Sequence, residues 1–130
     1  MMHQNSPAFV ISFLAISKIG AIPSFINTSL VEGSLLHCIK IANTRLFLFD
    51  PIYASQVLTI ETDVKALGVE LYAFGEDNNN DDIDGKTQQA LERFSRLKPE
   101  ILNEYSSQDT DESYLRNVTP TTPAMLIYTR

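Results

Sequence analysis

Residues 7–19 hold Phe9, Val10, Ile11, Phe13, Leu14, Ile16 and Ile19, an apolar set too wide for one stripe of a helix. Ser6 ahead of them is a favoured N-cap, Pro7 suits the first helical position, and Gly20 supplies a left-handed stop. The spacing predicts a helix from Ser6-Pro7 to about Ile19 that is covered on more than one side. Such a helix belongs inside a larger body.

The rest of the first half alternates between helical and strand patterns. Residues 21–26 read as a short buried strand, with Pro23 tolerated at its start or at a bulge. After a turn over 27–33, Ser34 is the expected cap of a second helix in which Leu35, Leu36, Ile39 and Ala42 recur at helical spacing. Residues 46–49 form a continuous apolar run closed by Asp50-Pro51, the pattern of a strand buried on both faces. Residues 52–67 are expected to be helical in part, because Thr59, Thr62 and Val64 lower the propensity, and Gly68 ends them before a strand over 69–74. Such an order predicts the α/β class, a partial parallel sheet with helices on both faces.

After Gly75 the sequence turns acidic, and residues 76–85 read as a solvated surface loop. A calcium loop starting at Asn80 would place Asp82 and Asp84 at the third and fifth positions and Gly85 at the sixth. Its twelfth position is Leu91 instead of a bidentate Glu, its eighth is Thr87, and a strand precedes it, so the surface-loop reading is preferred. Residues 87–97 are expected to form a surface helix with Ala90, Leu91, Phe94 and Leu97 on one face, stopped by Pro99. A second acidic linker spans 108–113. The apolar run 124–128 then reads as another buried strand.

Charge narrows the partners. With 16 Asp and Glu against 10 Lys and Arg, the net charge of -6 repels phosphate backbones, so nucleic acid is not an expected partner. A single cysteine, Cys38, excludes an internal disulfide framework and fits a reducing, cytosolic environment. No Lys or Arg precedes the apolar residues 8–16, and Lys18, Gly20 and Pro23 interrupt that run before the about 20 residues a membrane span needs. Neither a signal peptide nor a transmembrane segment is expected. The sequons at Asn27 and Asn117 carry no weight without a secretory signal.

Catalytic chemistry is sparse. His37 and Cys38 are adjacent on a predicted helix and point about 100° apart, so they cannot easily grip one metal ion. Core packing is the expected role of Cys38, and His3 is expected to lie in an N-terminal tail. The glycines are scattered singly at Gly20, Gly33, Gly68, Gly75 and Gly85, with no glycine-rich phosphate loop among them. Read from the residues alone, the chain is an α/β unit without a mechanism.

The stretch Asn5-Ser6-Pro7-Ala8-Phe9-Val10, continued by Lys18-Ile19-Gly20-Ala21-Ile22-Pro23-Ser24-Phe25-Ile26-Asn27-Thr28-Ser29-Leu30, resembles the fatty acid transport protein and very-long-chain acyl-CoA synthetase family of AMP-forming adenylating enzymes. Leu35-Leu36-His37-Cys38-Ile39-Lys40 is similar to the same branch. The run Thr122-Pro123-Ala124-Met125-Leu126-Ile127-Tyr128-Thr129 resembles the strand that leads into the family's phosphate loop. The resemblance makes residues 1–130 a partial large N-terminal domain, with Tyr128 and Thr129 as lead-in residues for nucleotide binding and no catalytic residue or metal ligand of its own. The family uses ATP, Mg and CoA to activate long and very long fatty acids. In it, a Ser/Thr/Gly-rich loop ending in Lys holds the ATP phosphates.

Arg130 stands where the family has a small residue, and family members carry sequence ahead of the first helix. The resemblance therefore implies a piece of a fatty acid-CoA ligase, involved in fatty acid activation and transport, that is inactive alone and binds no cofactor. Met1 corresponds to an internal methionine on this reading. Fatty acid and CoA would be partners of the complete enzyme only, and the location would be cytosolic or peripheral to intracellular membranes. Two alternatives stand beside it: a non-catalytic binding or regulatory module that pairs with a full-length synthetase or a membrane-associated assembly, and an unrelated flavodoxin-like domain with a cofactor at its switch point.

Overall fold

Helix α1, Pro7–Lys18, begins as its sequence dictates, with the Ser6 hydroxyl accepting the Phe9 N–H at 3.3 Å and Pro7 in the first turn. This computed structural model describes residues 1–75 and 83–128. Gly20 ends the helix turn at φ 71°, where its missing side chain lets the Tyr114 carbonyl lie directly against it. Lys18, in the last turn, pairs with Asp109, so the later loops are held against the end of α1. Phe9 and Phe13 pack on Phe25, with ring centroids 5.1 and 5.7 Å away. Among the described residues Val10, Ile11 and Leu14 stand 51%, 49% and 58% exposed, so the cover expected on more than one side is not supplied by them. Its Phe9 and Phe13 side chains and the buried Ser12 meet the described chain.

Strand β1, Ser24–Phe25, follows and is shorter than its apolar flanks suggest. The Pro23 carbonyl accepts the Leu126 N–H at 2.9 Å, so the proline sits at the strand start, where its missing N–H does no harm. Helix α2, Glu32–Ile41, starts earlier than Ser34. Extended Val31 already offers its carbonyl to the Ser34 and Leu35 N–H groups, and this backbone turn replaces the expected side-chain cap. Strand β2, Leu46–Phe49, is buried from Phe47 onward, whereas Leu46 is exposed at its start, so burial on both faces does not extend over the whole run.

Residues beyond β2 form a short 3-10 turn, Pro51–Tyr53, then α3, Ala54–Leu58, and α4, Glu61–Ala66. The Thr59 hydroxyl donates to the Gln56 carbonyl at 2.7 Å at the break between α3 and α4, the local competition that lowers helix propensity there. Gly68, at φ 75°, turns the chain into β3, Glu70–Phe74. Helix α5, Gly85–Leu91, is capped by Asp84, whose carboxylate accepts the Thr87 N–H at 2.7 Å.

The expected helix over 87–97 is corrected here: it stops at Leu91, and Ser95–Leu97 form strand β4 along the edge of β3. Phe94 keeps its predicted burial but gains it at a turn, packing edge-on against Phe49 at 5.0 Å. Pairing with an open strand edge answers more backbone groups than another helical turn would, and that outweighs the 3.6 periodicity. Two further 3-10 turns, Pro99–Glu104 and Glu112–Leu115, lead to β5, Leu126–Ile127. The buried strand expected over 124–128 is instead this exposed pair, lying beside β1.

The α/β class holds. All strand pairings among the described residues are parallel, β2-β3-β4 in one sheet and β1-β5 in another. Leu35, Ile39, Phe47, Phe49, Val57 and Val64 are the fully buried centre of the hydrophobic core. The acidic segment 76–85 falls mostly on residues 76–82, outside the described residues.

We expect Gly20→Ala to destabilise the fold by about 1–2 kcal/mol from the left-handed conformation alone, with more lost as the Tyr114 carbonyl is pushed away. Urea unfolding checks this, and an unchanged midpoint would contradict the account of the α1 stop.

Candidate functional site

The first three residues are not the tail expected for His3. The Met1 amine donates to the Ser24 carbonyl at 2.5 Å, and the Met1 carbonyl accepts the Ile26 N–H at 3.0 Å. The Met2 N–H donates to the Leu48 carbonyl and its carbonyl accepts the Asp50 N–H, both at 2.9 Å. Those are the contacts of a parallel strand on each side. Met1 and Met2 therefore join the two sheets, and Met2 is wholly buried. The sequence signal for this was present: no charged residue precedes Lys18.

His3 follows this seam into the interior. It is 8% exposed, its ring meets Phe74 edge-on at 6.3 Å, and neither ring nitrogen has a protein partner. Burial, aided by the nearby N-terminal charge, pushes its pKa down to about 4. Nearby Asp50 accepts the Ile52 N–H at 3.3 Å, yet its burial raises its pKa. Both are buried polar residues at the ends of the central strands, placed there by backbone pairing.

Of the residues singled out for nucleotide binding, Tyr128 is described and Thr129 lies outside the described residues. The Tyr128 hydroxyl donates to the Cys38 carbonyl at 2.9 Å and accepts from the Ser24 hydroxyl at 3.3 Å. Its geometry fastens the end of β5 to α2 and β1, so the hydroxyl is committed to protein. Cys38 is buried, and burial pushes its thiol up, away from the thiolate form that reacts or binds metal. His37, its neighbour, is exposed, so the two do diverge as their helical positions require.

No three His, Cys, Asp or Glu side chains among the described residues are grouped to hold a metal ion. Asp84, a member of the calcium pattern, caps α5, while Leu91 is core; Asn80 and Asp82 lie outside the described residues. The committed Tyr128 hydroxyl offers no free donor to a triphosphate. No helix among the described residues is long and apolar enough to cross a membrane.

The sequence profile of the family described as "AMP-binding enzyme" matches residues 1–129. This chain belongs to the AMP-binding enzyme family. Among curated proteins, the rat (Rattus norvegicus) "Long-chain fatty acid transport protein 2" is 27% identical over 125 residues, covering 96% of this chain and 18% of that protein. The "Very long-chain fatty acid transport protein" of Saccharomyces cerevisiae is 30% identical over 128 residues, covering 96% of this chain and 17% of that protein. The chain thus spans less than a fifth of the length of these relatives. No solved structure matches it significantly. Membership in the AMP-binding family removes the flavodoxin-like alternative and agrees with the resemblance carried by residues 5–50.

Two outcomes follow from the geometry. The unfolded chain protonates its imidazole below about 6.5, whereas folded His3 resists until about 4. Stability should therefore fall as pH drops from 6.5 toward 4, by up to about 3 kcal/mol from this group. Asp50, with its raised pKa, acts in the opposite direction. Denaturant melts of His3→Leu against the parent across this window isolate the histidine contribution, and parallel curves would refute it. Tyr128→Phe should cost about 1 kcal/mol through the lost bond to the Cys38 carbonyl, read as a lower urea midpoint.

Proposed function

We propose that this chain is part of an ATP-dependent ligase that activates long or very long fatty acids as CoA thioesters. The family match over residues 1–129, together with relatives named as fatty acid transport proteins, carries this reading. In such a reaction the fatty carboxylate attacks the α-phosphate of ATP and pyrophosphate leaves. The CoA thiol then takes the acyl group and AMP departs. Each step demands donors and positive charge around crowded phosphate oxygens, supplied by a glycine-rich loop that closes on a lysine.

The 130 residues hold no such loop, their five glycines being separated. On this reading they form the scaffold on which the nucleotide site is built, and they are inactive alone. The protein would be cytosolic or peripheral to intracellular membranes, and ATP, Mg, CoA and fatty acid would be ligands of the complete enzyme.

A second reading, a non-catalytic module that pairs with a full-length synthetase, is supported by the uncovered α1 face at Val10, Ile11 and Leu14. Saturable binding to such a synthetase, lost in Leu14→Lys, would favour it.

The 130-residue chain, incubated with ATP, Mg and palmitate, should release no pyrophosphate above a protein-free control and should bind ATP no tighter than about millimolar. In the converse experiment, residues 1–129 replace the matching segment of the yeast relative. Retained acyl-CoA formation supports the ligase reading, and a folded but inactive chimera overturns it.

A further inference from the structure

A group of charges gathers where β3 and β4 begin. Glu61, on α4, is buried, and its two carboxylate oxygens are divided between two cations. Oε1 accepts from Lys65 Nζ at 2.7 Å, and Oε2 accepts from an Arg93 terminal nitrogen at 2.9 Å. Lys65 lies one turn further along α4, whereas Arg93 comes from the turn between α5 and β4. A buried carboxylate needs such partners, so the same bonds that satisfy Glu61 hold the two cations beside each other. Both cationic side chains stay more than half exposed, and one carboxylate against two cations leaves a positive charge over.

Lys65 and Arg93 line one cleft of about 390 Å³, together with Leu71, Ser95 and Glu70. In a parallel ladder, alternate residues direct their backbone groups to opposite neighbours. The Glu70 N–H serves the Arg45 carbonyl at 3.0 Å, so the Leu71 N–H is directed toward β4. The pairing of β3 with β4 begins only at Tyr72 and Ser95, and the Leu71 N–H therefore lies ahead of it, at the cleft. An ammonium, a guanidinium, a hydroxyl and a backbone N–H at a sheet edge are the donors a tetrahedral oxyanion takes. Glu70, exposed at the start of β3, is the carboxylate among the lining residues. It opposes a bare anion and suits an anion that carries its own cation.

We propose that this cleft binds a small phosphate ester bearing a primary amine, with the phosphate on Lys65, Arg93 and the Leu71 N–H and the ammonium against Glu70. The Arg93 fork and the Lys65 point charge both favour a phosphate over a weaker acceptor. Glu61 does not touch the ligand and acts as a positioning residue for the two cations. An amino acid answers Glu70, but its singly charged carboxylate draws less from two cations than a phosphate dianion does. Inorganic phosphate meets the cations and faces Glu70 uncompensated. Since the cations are solvated, screening keeps the attraction modest and the affinity at about millimolar. A soluble phosphoamine and an aminoethyl phospholipid head group share this chemistry. The proposal does not rest on the ligase reading.

The test titrates the 130-residue chain at low ionic strength with phosphoethanolamine, inorganic phosphate and alanine, following the Leu71 and Ser95 amide resonances. Phosphoethanolamine should bind saturably, at least about fivefold tighter than either of the others. Glu70→Gln, at an exposed position, should erase its advantage over inorganic phosphate. Arg93→Gln should weaken both phosphates by about tenfold. Should the Arg93 variant misfold, the Glu70 variant still decides. Sedimentation with phosphatidylcholine vesicles, with and without phosphatidylethanolamine, separates the two sources. Vesicle binding that needs phosphatidylethanolamine and is lost in Glu70→Gln, without binding of the free compound, assigns the phosphate to a head group. No saturable binding in either arm, equal affinity of the free compound with alanine or inorganic phosphate, or a Glu70→Gln variant that keeps the preference would overturn the proposal.

Discussion

Two residues hold the architecture together. Met1 and Met2 each satisfy a different strand, the first β1 and the second β2, so that a two-stranded and a three-stranded parallel sheet are joined. A two-stranded ladder is marginal in water, and β1 with β5 is such a ladder. Its attachment to the three-stranded sheet through the N-terminal dipeptide, with the Tyr128 hydroxyl as a second tie, gives it a core to rest on. Around that seam burial also pushes the His3 ring's pKa down to about 4.

Much of the central unit was legible in the sequence because its signals are local. Ser6, Pro7 and Gly20 set the ends of α1, and Gly68 ends α4, by backbone preferences that need no tertiary partner. The apolar run at Leu46–Phe49 could be read as a strand for the same reason. The misread segments are those decided by distant partners. Residues 95–97 have helical periodicity yet pair with β3, because an open sheet edge offers bonds that a solvated helix end does not. Ser34 is the local exception, a good cap left unused because Val31, three residues earlier, had already turned the chain.

The candidate site was legible only through resemblance. Tyr128 was singled out by resemblance as a lead-in residue, and its hydroxyl closes the contact between β5 and α2, a role that depends on a residue far away in sequence and leaves no local trace. The burial of His3 was hidden for a related reason. A polar residue three positions from the start reads as tail until the strands that enclose it are known. The absence of charge before Lys18 was the one available clue, and it points to burial without saying against what.

The ladders also differ in how much chain they enclose. Pairing β2 with β3 closes a loop of one crossover, whereas pairing Ser24 with Leu126 closes a far longer one that contains the whole three-stranded sheet. Long-range closure is entropically late, because the loop must be ordered before its contacts reward it. The β2-β3-β4 unit therefore has the topology of a folding nucleus, and β5 that of the last strand to dock and the first to detach. Its exposed, two-residue ladder makes the C-terminal end of the described chain the part most open to exchange with solvent and to proteolytic nicking.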